Sequence, residues 1–176
     1  KILALLCLLL STNSMATEEI FDRTPEGEIQ VRTLPAARWM LAESTGSYFD
    51  NSRSLFGRLF NFIKDNEVSM TVPVEGNLSR AEMRFYVGQN DTREFKNTET
   101  VRVVEIPERT VVSIGAKGSY AEENVMRLRD QLEEWLSSQS DWVADGSSYA
   151  VFWNGPMTLW LFKHYEVHIP IKSAAK

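Results

Sequence analysis

The segment VRTLPAARWMLAESTGSYF at residues 31–49 returns, shifted by 72 places, as VVEIPERTVVSIGAKGSYA at residues 103–121. The pairs Val31/Val103, Pro35/Pro107, Gly46/Gly118, Ser47/Ser119 and Tyr48/Tyr120 are identical, and Leu34 stands opposite Ile106. Under the same shift Phe56, Phe60 and Ile63 fall on Leu128, Leu132 and Trp135, so an apolar helical stripe stays in phase. A register kept over this length predicts a doubled fold with halves at residues 28–88 and 100–171.

Working outward, Glu28 to Leu34 reads as a strand halted at Pro35, and Arg38 to Glu43 as its partner. Tyr48 to Lys64 carries Leu55, Phe56, Leu59, Phe60 and Ile63 at helical spacing. Val68 to Val74, interrupted by Pro73, reads as a strand at an edge or end, and Ala81 to Val87 as the next. The second half repeats the order, with strands at Thr100 to Ile106 and Thr110 to Ala116 and a helix at Glu122 to Ser138. Its closing strands are Tyr149 to Trp153 and Tyr165 to Ile171, parted by the turn signal Asn154-Gly155-Pro156. Asp22 to Gly27 looks like a linker. The fold class that follows is α+β: duplicated strand-strand-helix-strand-strand halves forming a distorted antiparallel β-barrel or twisted sheet flanked by two helices. A groove at the junction of the halves is the natural place for a ligand.

Composition sets outer limits. The 176 residues are 43% hydrophobic and 24% charged, ordinary for one globular domain. A net charge of −5 with both signs mixed argues against a nucleic-acid backbone as partner. Lys1, the apolar run Ile2 to Leu10 and the small residues of Ser14-Met15-Ala16 have the layout of a removable signal peptide over residues 1–16, too short to span a bilayer. That predicts a secreted or luminal protein of residues 17–176; the alternative is a cytosolic form starting at Met15. Cys7 is the only cysteine and falls inside that leader, so the mature chain is expected to have neither disulfide nor thiolate ligand. Asn77-Leu78-Ser79 and Asn90-Asp91-Thr92 are glycosylation sequons.

Three segments carry a resemblance. Val68-Ser69-Met70-Thr71-Val72-Pro73-Val74 resembles the M-T-x-P-V motif of the SOUL family of haem-binding proteins. Gly118-Ser119-Tyr120 before the second helix, and Asn154-Gly155-Pro156 followed by Tyr165-Glu166-Val167, are similar to two further family motifs in the same order. The resemblance implies a barrel flanked by two helices that binds haem or a related tetrapyrrole in a shallow apolar cleft beside the first helix. It also implies a carrier, buffer or sensor, not an enzyme.

A haem site needs an apolar slot and cations for two propionates, with an iron ligand optional. Leu55, Phe56, Leu59, Phe60 and Ile63 are the candidate wall; the alternative is that all five are core, and Phe56 and Phe60 read rather as core because their counterparts Leu128 and Leu132 repeat in a helix with no assigned ligand. Arg53 and Arg58, at positions where the resemblance implies basic residues near propionates, are the cationic candidates, joined by Lys163 and His164 on the approach to the last strand. Lysines that haem-binding members can carry are replaced here by Asn61 and Leu159. His164 and His168 are the only imidazoles; each reads as a surface or rim histidine, and no metal site is expected. Met70 is a thioether in a strand motif and reads as core. Weak or no axial ligation and micromolar or weaker affinity follow.

Two other readings stay open. One is a protein-interaction or general small-ligand module, since the scaffold also resembles the effector-binding domains of some bacterial regulators. The other is catalysis by Glu166 with His164 and His168, which lacks a nucleophile and splits Tyr165 and Glu166 onto opposite faces of a strand.

Overall fold

A computed structural model describes residues 18–155 and 157–174. The expected signal peptide lies outside the described residues. The elements are β1 (Ile29–Leu34), β2 (Ala37–Glu43), α1 (Tyr48–Asp65), β3 (Val74–Asn77), β4 (Glu82–Tyr86), β5 (Arg102–Ile106), β6 (Arg109–Lys117), α2 (Glu122–Ser137), β7 (Trp142–Ala144), β8 (Tyr149–Phe152) and β9 (His164–Ser173). The nine strands form a curled antiparallel half-barrel in the order β1-β6-β9-β8-β3-β4-β2-β5, with β7 on the flank of β9. The α+β fold class is as expected.

The strand order reads the same from both ends once each element is exchanged for its counterpart in the other half. The leading strand of each half crosses over: β1 pairs with β6 and β5 with β2. Leu34 meets Arg109 and Ala37 meets Ile106, pairings that the 72-residue shift converts into each other. The halves join at β3 and β8, around Gly76 opposite Ala150.

α1 starts where Ser47 accepts from the Asp50 backbone N–H at 3.2 Å and donates to the Asp50 carboxylate at 2.7 Å, closing the first turn. Leu55, Leu59, Phe62 and Ile63 face β2, β3 and β4. α2 presents Val125, Leu128, Leu132 and Leu136 to β6, β7 and β9. The strands supply Met40, Val74, Met83, Phe85, Val112, Val167 and Ile169 to this core, alternating with residues on the opposite face.

Two expectations need correction. Val68 to Pro73 is not a strand: only Val74–Asn77 forms β3, because Pro73 has no N–H for a ladder and Val72 makes a single bridge to Glu19. Asp22 to Gly27 is no loose linker either. Glu18 to Gly27 straps the sheet face opposite the helices, burying Ile20 and Thr24 and packing Phe21 edge-on against Trp153 at 5.4 Å. The short β7 and the 3-10 turn Trp160–Phe162 gave no periodic signal in the sequence.

Gly115 lets the strap seat. A Cβ there would lie 2.2 Å from the Thr24 carbonyl oxygen and 2.5 Å from that of Pro25, both backbone atoms. Gly115→Ala is expected to lift the strap, costing about 1–3 kcal/mol. Urea denaturation and faster proteolysis at residues 21–25 check this.

Candidate functional site

On the helix side, an open cleft of about 580 Å³ lies between the first two turns of α1, the strand β3 and the loop from β8 to β9. Its wall is apolar: Phe49, Phe56, Met70, Val74, Met83 and Phe152, with the aromatic faces of Tyr48 and Tyr120. Two cations line it, Arg53 from α1 and Lys163 from the end of the loop. Lys163 Nζ lies 4.8 Å from the Tyr120 ring centroid. Two further cavities, of about 780 Å³ beside Asp91 and Arg93 and about 520 Å³ beside Glu133 and Gln139, have more polar surroundings.

Two tyrosines at matching positions of the 72-residue shift frame the cleft. Tyr48 and Tyr120, the last identical pair, meet over Phe152, at centroid distances of 6.1 Å and 4.7 Å. Gly76, at the junction of the halves, leaves room for Tyr48; a Cβ would sit 2.3 Å from its Cζ. Tyr120 also clasps the loop, its hydroxyl donating to the His164 carbonyl at 2.8 Å and accepting from the Asn154 N–H at 3.0 Å. Burial pushes the Tyr120 phenol up to about 12 and raises that of Tyr48 further, so both remain neutral at physiological pH.

The sequence candidates separate cleanly. Arg53, Phe56 and Lys163 line the cleft together. Leu55, Leu59 and Ile63 are buried in the core beneath and do not line it. Arg58 turns away to donate to the Glu43 carbonyl at 2.9 Å. Phe60 is 46% exposed, not core. His164 is half-buried on the far side of β9 from the helix-facing Tyr165. There burial, with Arg23 and Lys117 nearby, lowers its pKa. His168 is no rim residue: it is wholly buried on the same far side. Among the lining residues that the sequence does not mark as ligand contacts are Tyr48, Tyr120 and Phe152, and Met70 lines the cleft where a core role was expected. Asn77 is largely buried, and its side-chain oxygen accepts from the Ser79 N–H at 2.9 Å.

His168 belongs to a polar chain across the face opposite the helices. Its Nε2 donates to Glu166 at 2.7 Å and its Nδ1 meets the Tyr149 hydroxyl at 3.2 Å. Arg109 continues the chain, donating to Tyr149 at 3.3 Å and to Glu75 at 2.6 Å. Glu166 further accepts from the Thr24 N–H at 2.9 Å, the Thr24 hydroxyl at 2.7 Å and Trp153 Nε1 at 2.7 Å. Burial opposes ionisation of Glu166, but these donors, His168 and Thr24 foremost, outweigh it and hold the carboxyl below its ordinary range. In the other half Glu82 takes the place of Glu166 and Arg84 that of His168, since Ala42 pairs with Met83 as Ile114 pairs with Val167. Arg84 bonds both Glu75 and Glu82. Each buried carboxylate thus has a basic or donor partner within the chain. Among the described residues no group of three or more His, Cys, Asp or Glu could hold a metal ion.

The SOUL heme-binding protein family model matches residues 19–170. The chain belongs to this family. The SOUL family is one of haem-binding proteins, which fits a helix-side cleft carrying an apolar wall and two cations. Known folds agree on architecture alone. The C-terminal domain of EcmrR is similar with a TM-score of 0.67 at 14% identity, covering 84% of this chain and 98% of that domain. The EcmrR–DNA complex in EcmrR-RPo gives 0.69 at 13%, and this SOUL chain, matched over 84% of its length, spans 58% of that one. A structure described as a hydrolase from Listeria innocua gives 0.57 at 12%, covering 85% and 94%. No curated protein matches the sequence. Among the described residues no helix is long and apolar enough to cross a membrane.

Proposed function

We propose that this chain binds haem or a related tetrapyrrole in the helix-side cleft and serves as a carrier, buffer or sensor rather than an enzyme. The observation that carries the reading is Arg53 and Lys163 on an otherwise apolar wall, two cations for the two propionates of a flat apolar ring. Phe56, Phe152, Tyr48 and Tyr120 would hold the ring faces. Iron, when bound, would supply only coordination, and the groups within reach are poor ligands: the Tyr48 and Tyr120 phenols resist ionisation, leaving the Met70 thioether. Haemin and iron-free protoporphyrin are therefore expected to bind alike.

Affinity then rests on burial and charge. Hiding about 400 Å² of apolar surface contributes on the order of 10 kcal/mol, against an association cost of about 4–15 kcal/mol. Micromolar or weaker binding is expected in a Soret titration of residues 17–176; nanomolar haemin binding with a low-spin His signature would overturn the reading. Arg53→Ala and Lys163→Ala should each weaken binding about three- to fivefold, the size of exposed ion pairs, with the difference shrinking at high salt.

The runner-up, a general small-ligand module on the same scaffold, shares the cleft. Its cations favour an anionic ligand over an organic cation, which keeps a dicarboxylate tetrapyrrole ahead. Catalysis is disfavoured because Glu166 and His168 are buried and engaged within the chain. Secretion rests on the character of residues 1–16, and nucleic acid is disfavoured by the charge of −5.

A further inference from the structure

Five of the large hydrophobic side chains most exposed among the described residues fall in one six-residue stretch: Met157 at 95%, Leu159 at 63%, Trp160 at 65%, Leu161 at 46% and Phe162 at 61%. Hydrogen bonds hold the C-terminal end of this stretch. Phe162 and Lys163 donate to the Leu159 and Trp160 carbonyls at 2.9 and 3.2 Å, and the Lys163 carbonyl accepts from Gly118 at 2.9 Å. With Tyr120 clasping Asn154 and His164, both ends of the loop are tied to the fold while these apolar side chains are exposed. Such a cluster on a loop held at its ends marks an interaction site.

We infer that residues 157–162 dock this protein on a lipid bilayer surface. Charge supports that occupant: in a chain of net −5, no acidic residue occurs between Asp145 and Glu166, and the loop ends in Lys163. Trp160 beside Leu159, Leu161 and Phe162 is the mixture that seats at the boundary between headgroups and acyl chains. Size argues the same way. A stable protein interface takes about 800 Å² from each partner, spread over about 20–30 residues, whereas a bilayer needs only a wedge of apolar side chains. Asn154, Gly155 and Lys163 at the loop ends also line the cleft, so docking would set its mouth against the bilayer. The inference does not rest on what fills the cleft.

Flotation of residues 17–176 with phosphatidylcholine vesicles tests it. The protein is expected to float with the vesicles, and the triple variant Leu159→Ser/Trp160→Ser/Phe162→Ser to partition at least tenfold less. All three side chains are exposed, so the variant should keep its urea midpoint and, without vesicles, its haemin affinity. Tryptophan quenching by brominated lipid should drop sharply in Trp160→Phe. Failure of the wild type to float at excess lipid, equal flotation of the triple variant, or a loop-dependent dimer that does not float would each overturn the inference. A haemin titration that fails while flotation succeeds would count against the cleft reading alone.

Discussion

Glu166→Ala is expected to cost about 3–5 kcal/mol of stability, the range for removing one member of a buried charged network. The residue is 1% exposed and receives four hydrogen bonds, from the Thr24 backbone and hydroxyl, Trp153 and His168. Without the carboxylate the Thr24 N–H and the Trp153 indole stay buried with no acceptor, the Thr24 hydroxyl keeps only Ser113, and the strap loses a main hold on the sheet. Its counterpart Glu82 gives the control. Arg80 and Arg84, which pair with it, are 63% and 20% exposed and can turn to water, so Glu82→Ala should cost about 1–2 kcal/mol. Urea denaturation of the three proteins measures both, and equal losses would refute the ranking.

The same carboxylate fixes a pH dependence. Its folded pKa lies below the unfolded one, so folding is favoured by its ionised form. That contribution is complete above the ordinary glutamate range and is lost as pH falls through the folded value. Glu166→Gln should therefore flatten the loss of stability below about pH 4.5 while lowering stability at neutral pH.

Filling the cleft should have the largest effect on binding. Ser52 lines it from α1 and its hydroxyl contributes only a 3.0 Å bond to the Phe49 carbonyl. Ser52→Trp would project an indole into the space between Phe56 and Tyr120 without cutting into the core below, where Leu55 and Leu59 lie. Haemin and protoporphyrin affinity should both fall at least tenfold, about 1.4 kcal/mol or more, with little change in the urea midpoint. Undiminished binding in a folded variant would move the ligand elsewhere.

The 72-residue repeat made much of this fold legible, because a strand-turn-strand-helix order with matching proline and glycine constrains topology. It also predicted a ligand groove between the halves. What it could not reveal was the division of labour within each strand. His164 and His168 look alike in sequence, yet His168 is sealed into a polar chain that only the crossing of Tyr149 and Arg109 creates. The strap was illegible because it seats against Gly115 and Glu166, both far away in the sequence, and no local pattern announces that approach. Arg53 and Lys163 are legible as cleft candidates because a cation on a helix face or loop end is visible locally, whereas Phe56 reads as core in sequence and lines the cleft in the fold. Tyr48 and Tyr120 stand out in sequence only as the last identical pair of the 72-residue shift, and the fold brings both to the junction where the cleft forms.

The most direct test of the cleft is paramagnetic broadening of backbone amide signals by added haemin. Loss of signal centred on Tyr48 to Phe56, Phe152 to Gly155 and Lys163 is the predicted result. Broadening centred instead on Asn90 to Arg93, or on Leu136, Trp142 and Ser148 beside the third cavity, would contradict it.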